Sequence, residues 1–206
     1  MTVTTLAKPD YDVLNVLALK KMADATAIAA VTGMPAGDVE GRLASLSGGG
    51  LAVVAGGAAL PTDEAEPALA ATAAEVYAPV RADGDVLALV EKFETTNAQF
   101  LAAMSSWQQV EVGGRKVTND HSDAAYDEKV ITKIERLVGR LEPLIGALAG
   151  HDARFSLYST RFATALEAID TGDHDLVSAP TRDSVHNVWF EFHEDLLRTL
   201  GRERAE

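Results

Sequence analysis

The stretch Asn119-Asp120-His121-Ser122-Asp123-Ala124-Ala125-Tyr126-Asp127 gathers three carboxylates, an imidazole, an amide and a phenol into nine residues. Those side chains suit two chemistries. One is a metal site that uses His121 with Asp120, Asp123 or Asp127 as hard and borderline ligands. The other is an acid–base pair in which a carboxylate orients the imidazole. A simpler role accounts for part of the cluster. Asn119, Asp120, Ser122 and Asp123 are all good helix-capping residues, and acids near a helix start favour the positive end of its dipole. No spacing here matches a ligand motif such as His-Glu-x-x-His. The residues therefore assign no metal, no cofactor and no catalytic group.

A second concentration of polar and aromatic residues lies near the C-terminus, in Ser184-Val185-His186-Asn187-Val188-Trp189-Phe190-Glu191-Phe192-His193-Glu194-Asp195. On a helix, His186 and His193 share a face with Phe190 and Leu197. Two turns separate the imidazoles by roughly 10 Å, too far for one ion to take both without a bend. Separate hydrogen bonds to buried carboxylates, including those of the island at 119–127, are the expected role. Trp189, Phe192, Leu196 and Leu200 fall on the core side. The two stretches together predict a polar ligand pocket. Its lining would be Trp107, Asn119, Asp120, His121, Asp123, Tyr126, His186, Trp189, His193 and Glu194, with Trp107 and Tyr126 as walls.

Long apolar stripes surround the island and must position it. Val86, Leu89, Val90, Phe93, Asn97, Phe100, Leu101, Met104 and Trp107 keep helical spacing from Asp85 onward. Asn97 is the odd member of that stripe, suited to a local hydrogen bond at the core edge or to an internal polar pocket. Gly113-Gly114 sits between two short alternating stretches and predicts a hairpin or an ordered loop. After the island, Tyr126, Val130, Ile134, Leu137, Val138 and Leu141 form a second stripe, which Pro143 kinks or restarts. A third runs through Phe155, Tyr158, Phe162, Ala165, Leu166 and Ile169. Arg154 and Arg161 stand together beside it, either clamping an anion or pairing with the chain's plentiful acids. Gly172-Asp173-His174-Asp175 reads as a loop, and the last helix spans Val185 to Leu200.

The front of the chain has a different order. A helix from Tyr11 to Met22, a short alanine-rich helix from Ala25 to Val31, the Gly33 turn and a helix through Val39, Leu43 and Leu46 make a helix-turn-helix. Leu51 to Val54 and Ala58 to Leu60, joined through Gly56-Gly57, add a β-hairpin wing. This order resembles the winged-helix domain of the bacterial regulator families that include the MarR type, over roughly Asp10 to Ala65. The resemblance implies a transcriptional regulator, commonly a dimer, that binds duplex DNA through its third helix. Here that helix would offer only Arg42 and Ser45 beside Asp38 and Glu40, and the wing has no cation. Through Ala65 the chain carries four cations against seven anions, and such a surface repels phosphate. A protein-contact role is the other use of such a domain.

Trp107-Gln108, the block Asn119-Asp120-His121-Ser122-Asp123-x-x-Tyr126-Asp127 and the helix Ser184-x-His186-x-Val188-Trp189-Phe190-Glu191-x-His193-Glu194-Asp195 also resemble a family of actinobacterial proteins. In that family a winged helix and a helical body occur alone, or as the accessory region of phosphoenolpyruvate-utilising enzymes similar to pyruvate phosphate dikinase. The resemblance spans nearly the whole chain and implies a metabolic-enzyme partner. The Gly-Gly-x-Thr-Ser-His segment that carries the phosphorylated histidine of such enzymes is absent, so phosphotransfer by this chain alone is not expected.

With 206 residues, 47% of them hydrophobic, the chain can bury one good core or two small ones. The expected class is mainly α: a winged helix at 1–65, a linker or helix at 66–84, and a helical domain at 85–206 that holds the polar pocket. There is no cysteine, which excludes disulfides, thiolate zinc sites and cysteine nucleophiles. The N-terminus does not read as a secretory leader and no segment gives about 18 uninterrupted apolar residues, so a cytoplasmic protein away from membranes is expected. A net charge of −13 argues against an ordinary nucleic-acid binder and is also a common means of staying soluble. Three functions fit: a regulator whose helical body senses a small molecule or forms a homodimer, an accessory module of a metabolic enzyme, or a small His/Asp-dependent enzyme. The order given is the order of fit.

Overall fold

The computed structural model describes residues 5–203. Met1 to Thr4, on which the expected lack of a leader rests, lie outside them, as do residues 204–206. The chain divides into two compact units: Met1–Ala82 with Phe190–Glu206, and Asp83–Trp189. Both are mainly helical, with small antiparallel sheets. Among the described residues no helix is long and apolar enough to cross a membrane.

The first unit runs α1 (Lys8–Lys20), β1 (Ala23–Asp24), α2 (Ala25–Thr32), α3 (Ala36–Gly48), β2 (Ala52–Ala55), β3 (Ala58–Pro61), α4 (Ala65–Val76) and α5 (Ala78–Ala82). Its boundaries follow local chemistry. Pro9 sits in the first turn of α1, where a missing N–H costs nothing. Asp24 caps α2, its Oδ1 accepting the Ala27 N–H at 2.7 Å. Gly33, at φ 71°, closes α2 in the left-handed conformation that glycine adopts without a Cβ clash. Gly56 and Gly57 both have positive φ, the turn geometry that matches the twist of a two-residue hairpin. The sheet order is β1-β3-β2, with Ala23 opposite Ala59 and Val53 opposite Leu60. Strand β1 was not legible because two residues carry no periodicity. Replacing Asp24 by alanine will cost about 1 kcal/mol, the usual worth of a helix N-cap, as a lowered urea midpoint with unchanged slope.

Phe190–Glu206 group with this first unit, whereas the apolar stripe of the last helix predicts a place in the domain at 85–206. A stripe states that a face is buried, not against what. Polar bonds show what holds it. Asn15, 1% exposed, donates from Nδ2 to Oδ1 of the fully buried Asp195 at 2.9 Å. Arg198 donates to Asn15 Oδ1 and, at 2.9 Å, to Glu66. Lys20 pairs with Glu191 at 3.0 Å. Burying these groups is tolerable because they are paired.

The second unit contains α6 (Gly84–Gln108), β4 (Gln109–Val112), β5 (Arg115–Thr118), α7 (Ala124–Gly139), α8 (Glu142–His151), α9 (Ser156–Asp170) and the first residues of α10 (Val185–Leu200). Short 3₁₀ turns occupy Ala153–Phe155 and His174–Val177. Asp83 caps α6 through the N–H groups of Asp85 and Val86, and its carboxyl is held below the usual range chiefly by the His151 ring. Val86, Val90, Phe93, Phe100, Met104 and Trp107 bury the expected face of α6. Leu101, also expected there, is 54% exposed because it sits one position around the helix from Phe100.

Trp189 is the centre of this core. Its ring lies 3.8 Å from that of Phe100 at an interplanar angle of 2°, with Phe93 at 5.8 Å and Phe162 edge-on at 6.2 Å. Its Nε1–H donates to Asn97 Oδ1 at 2.9 Å. That bond accounts for the amide in an otherwise apolar stripe, since a buried indole N–H needs an acceptor.

Candidate functional site

The site is assembled where the chain leaves α6 and returns to start α7. The hairpin β4–β5 turns through Gly113 and Gly114, both at positive φ, and brings Asn119 back beside the end of α6. The Asn119 N–H donates to the Gln108 carbonyl at 2.9 Å. Its side-chain Nδ2 donates to the Trp107 carbonyl at 3.1 Å and to Asp127 Oδ1 at 2.8 Å, while its Oδ1 accepts the His121 N–H at 3.1 Å. One amide thereby ties α6, the loop and α7 together.

His121 has φ 57°, a left-handed conformation uncommon outside glycine. The Asn119 bonds hold it there, and the ring packs tilted against Trp107, centroids 4.3 Å apart at an interplanar angle of 39°. Nδ1 lies 2.9 Å from Oδ2 of Asp127. Both Asn119 amide protons are already committed, and both Asp127 oxygens act as acceptors. The ring proton therefore resides on Nδ1 and donates to Asp127, and the 3.2 Å approach of Asn119 Nδ2 to the same nitrogen is a contact without a proton between them. In the neutral ring Nε2 is then an acceptor. The His121 side chain is 42% exposed and that of Asp127 only 6%, so the accessible edge of the imidazole is the one bearing Nε2.

His121 lines a cleft of ≈ 360 Å³ together with Trp107, Ala124, Asp127, His174, Asp175, Ser178, Ala179 and Pro180. The far wall is the 3₁₀ turn after α9. It is steadied by Asn187, whose Nδ2 lies 2.8–3.0 Å from the carbonyls of Ala179, Pro180 and Arg182, its two protons shared among the three. Chemically, a buried carboxylate that fixes the tautomer and direction of an imidazole, with the second ring nitrogen facing a cavity, equips the cleft to bind a polar molecule or to move a proton at it.

No family model, curated protein or solved structure matches this chain.

Of the expected pocket residues, the structure brings Trp107, Asn119 and His121 together, with Asp127 as the partner that the island contained. Asp120 instead accepts from its neighbour Ser122, which holds its carboxyl below the usual range. Asp123 caps α7 through the Tyr126 N–H at 3.0 Å. Tyr126 donates its hydroxyl to the Ser106 carbonyl at 2.9 Å. These three serve the frame and do not line the cleft. His186 packs against Phe100 at 6.3 Å between centroids, and Trp189 is core. His193 and Glu194 belong to the first unit. Heptad spacing on α10 gave those histidines one face but not one environment.

Among the described residues no group of three His, Cys, Asp or Glu side chains is placed to hold a metal ion. Arg154 pairs with Asp152 at 3.1 Å and Arg161 with Asp183 at 2.9 Å, each with its own acid. Arg42 is bound to Asp10 at 2.7 Å, and Ser45 Oγ donates to the Gly41 carbonyl within α3. Sequence reasoning missed His174, Asp175 and Ser178. The polar run Asp173-His174-Asp175 was the available signal, passed over because it lay outside a periodic segment.

Burial pushes the His186 imidazole below its ordinary value. The unfolded chain therefore takes up that proton more readily. Its contribution is complete above about pH 6.5, the unfolded value, and is lost as pH falls from there toward the folded value. The acid arm of a stability–pH profile should be shallower in His186→Gln than in the parent, read as unfolding midpoints between about pH 7 and pH 5.

Proposed function

We propose that this chain is a ligand-responsive, regulator-like protein, in which the helical second unit senses a small polar molecule and the first unit, of winged-helix type, transmits the state to a partner. The observation that carries this reading is His121. Its Nδ1 is bound by a buried carboxylate, its backbone is held in an uncommon conformation, and its remaining nitrogen borders a cleft. A cleft of ≈ 360 Å³ lies in the range of small-molecule sites, about 300–1,000 Å³.

The winged-helix reading of the first unit is supported by its element order, with helix, short strand, helix, helix and hairpin in succession. A specific observation favours a protein partner over duplex DNA. The single arginine of α3 is engaged by Asp10, and β2 and β3 carry no charged residue. An accessory role beside a metabolic enzyme fits the same features.

Thermal unfolding in the presence of pooled polar metabolites tests the sensing role. A ligand that binds only the folded state raises stability in proportion to ln(1 + [L]/Kd). The expected result is at least one pool that raises the melting temperature of the parent and not of His121→Ala. Equal shifts in both proteins would remove His121 from the site. Fluorescence anisotropy with duplex from the upstream region, at about 50 and 200 mM salt, tests the partner. No salt-sensitive binding is expected, and tight binding that weakens steeply with salt would restore the DNA reading.

A further inference from the structure

The chemistry of the cleft lining narrows what it can hold. Its ionisable groups are the carboxylates of Asp127 and Asp175 and the imidazoles of His121 and His174, and neither lysine nor arginine lines it. The oriented His121 presents a lone pair at Nε2, Asp175 presents carboxylate oxygens, and Ser178 offers a hydroxyl that accepts as readily as it donates. A carboxylate or phosphate ligand would enter a lining without lysine or arginine and face the Asp175 carboxylate, with the partnered Asp127 behind His121. A neutral alcohol would satisfy the acceptors but leave the Asp175 charge uncompensated. A protonated amine satisfies both: its three N–H donors suit acceptors of this kind, and its charge offsets that of the Asp175 carboxylate.

Resting on the sensing role proposed above, we infer that the cleft of the second unit is an ammonium site, which takes a small molecule bearing a primary amine between His121 Nε2, Asp175 and Ser178. The protein surface works in the same direction. A net charge of −13 raises the local concentration of cations and steers them inward. The apolar part of the lining, Trp107, Ala124, Ala179 and Pro180, then covers the carbon skeleton that carries the amine. Asp127 contributes through His121 and is a positioning residue, whereas His121 and Asp175 touch the ligand.

A four-carbon series separates the end groups while keeping the skeleton: 1,4-diaminobutane, 4-amino-1-butanol, 1,4-butanediol and succinate. Each is titrated into the full chain with ring-labelled histidine, and the His121 and His174 signals are followed by NMR. Both amines should perturb His121 saturably. The diol should bind at least about tenfold more weakly, the difference of a charge-assisted bond worth about 1.4 kcal/mol or more. Asp175→Asn, an exposed change that leaves the fold intact, should weaken the amines about tenfold and the diol little. Saturable perturbation by the diol or succinate at equal or greater affinity overturns the ammonium assignment and leaves the sensing cleft standing. Silence of all four compounds at His121 and His174 overturns the ammonium assignment, while the sensing role stands or falls on the metabolite-pool shifts. Amine binding that survives Asp175→Asn undiminished overturns the placement of the ammonium.

Discussion

Trp189→Ala will destabilise the protein by about 3–5 kcal/mol, the range for removing a large aromatic from a packed core. Trp189 is 2% exposed and its ring is stacked on Phe100, backed by Phe93 and met edge-on by Phe162. The truncation leaves a void among three rings that cannot collapse without bending α6 or α9. It also strands Asn97 Oδ1, which accepts the indole N–H. Trp189→Phe separates the two effects. It keeps most of the stacking and loses the hydrogen bond, so about 1–2 kcal/mol is expected. Urea unfolding monitored at 222 nm distinguishes them. Equal losses in both variants would mean that the hydrogen bond, not the ring packing, holds this core.

Asp127→Ala will cost about 1–3 kcal/mol and, under the sensing role proposed above, abolish binding in the cleft. The carboxylate accepts from Asn119 Nδ2 and His121 Nδ1 in a setting where it is 4% exposed, and its loss leaves both donors unsatisfied. Asp127→Asn is the sharper test because it keeps the volume. The amide can accept from only one of the two donors and turns an N–H toward the other. If that N–H faces His121, the ring must give up the proton at Nδ1 and carry it on Nε2, which turns the cleft-facing acceptor into a donor. A tautomer imposed by an asparagine in this position is a known route to an intact but inactive site. The expected result is a modest stability loss with a loss of cleft binding of at least about tenfold, and binding within twofold of the parent would mean that Asp127 does not set the ring's tautomer.

Most of the helices were legible because their apolar faces repeat over several turns. Gly84–Gln108, Ala124–Gly139 and Val185–Leu200 all follow such stripes to within a few residues. The hairpins were legible through Gly56-Gly57 and Gly113-Gly114. The island at 119–127 was visible as a density of polar types, and the structure divides it by role. Asn119, His121 and Asp127 form the bonded cluster, Asp123 is a cap, Asp120 is paired locally and Tyr126 bonds the end of α6. Sequence spacing could not make that division, because it depends on which carboxylate the returning loop carries toward the ring. The α10 histidines were misleading for a related reason. Identical residues on one face meet whatever lies opposite each turn, and for His186 that is the ring of Phe100. His174 and Asp175 reach the cleft through the turn after α9, a tertiary approach that no local pattern announces.

The measurement closest to the central claim is the tautomer of His121 in the free protein, read from long-range ¹H–¹⁵N correlations of labelled imidazoles. The chain has five histidines, and the signal is assigned by its disappearance in His121→Gln. A neutral ring protonated at Nδ1 with a bare Nε2 is the predicted result. A proton on Nε2, or rapid averaging between the two nitrogens, would contradict an imidazole held by Asp127 and presented to the cleft.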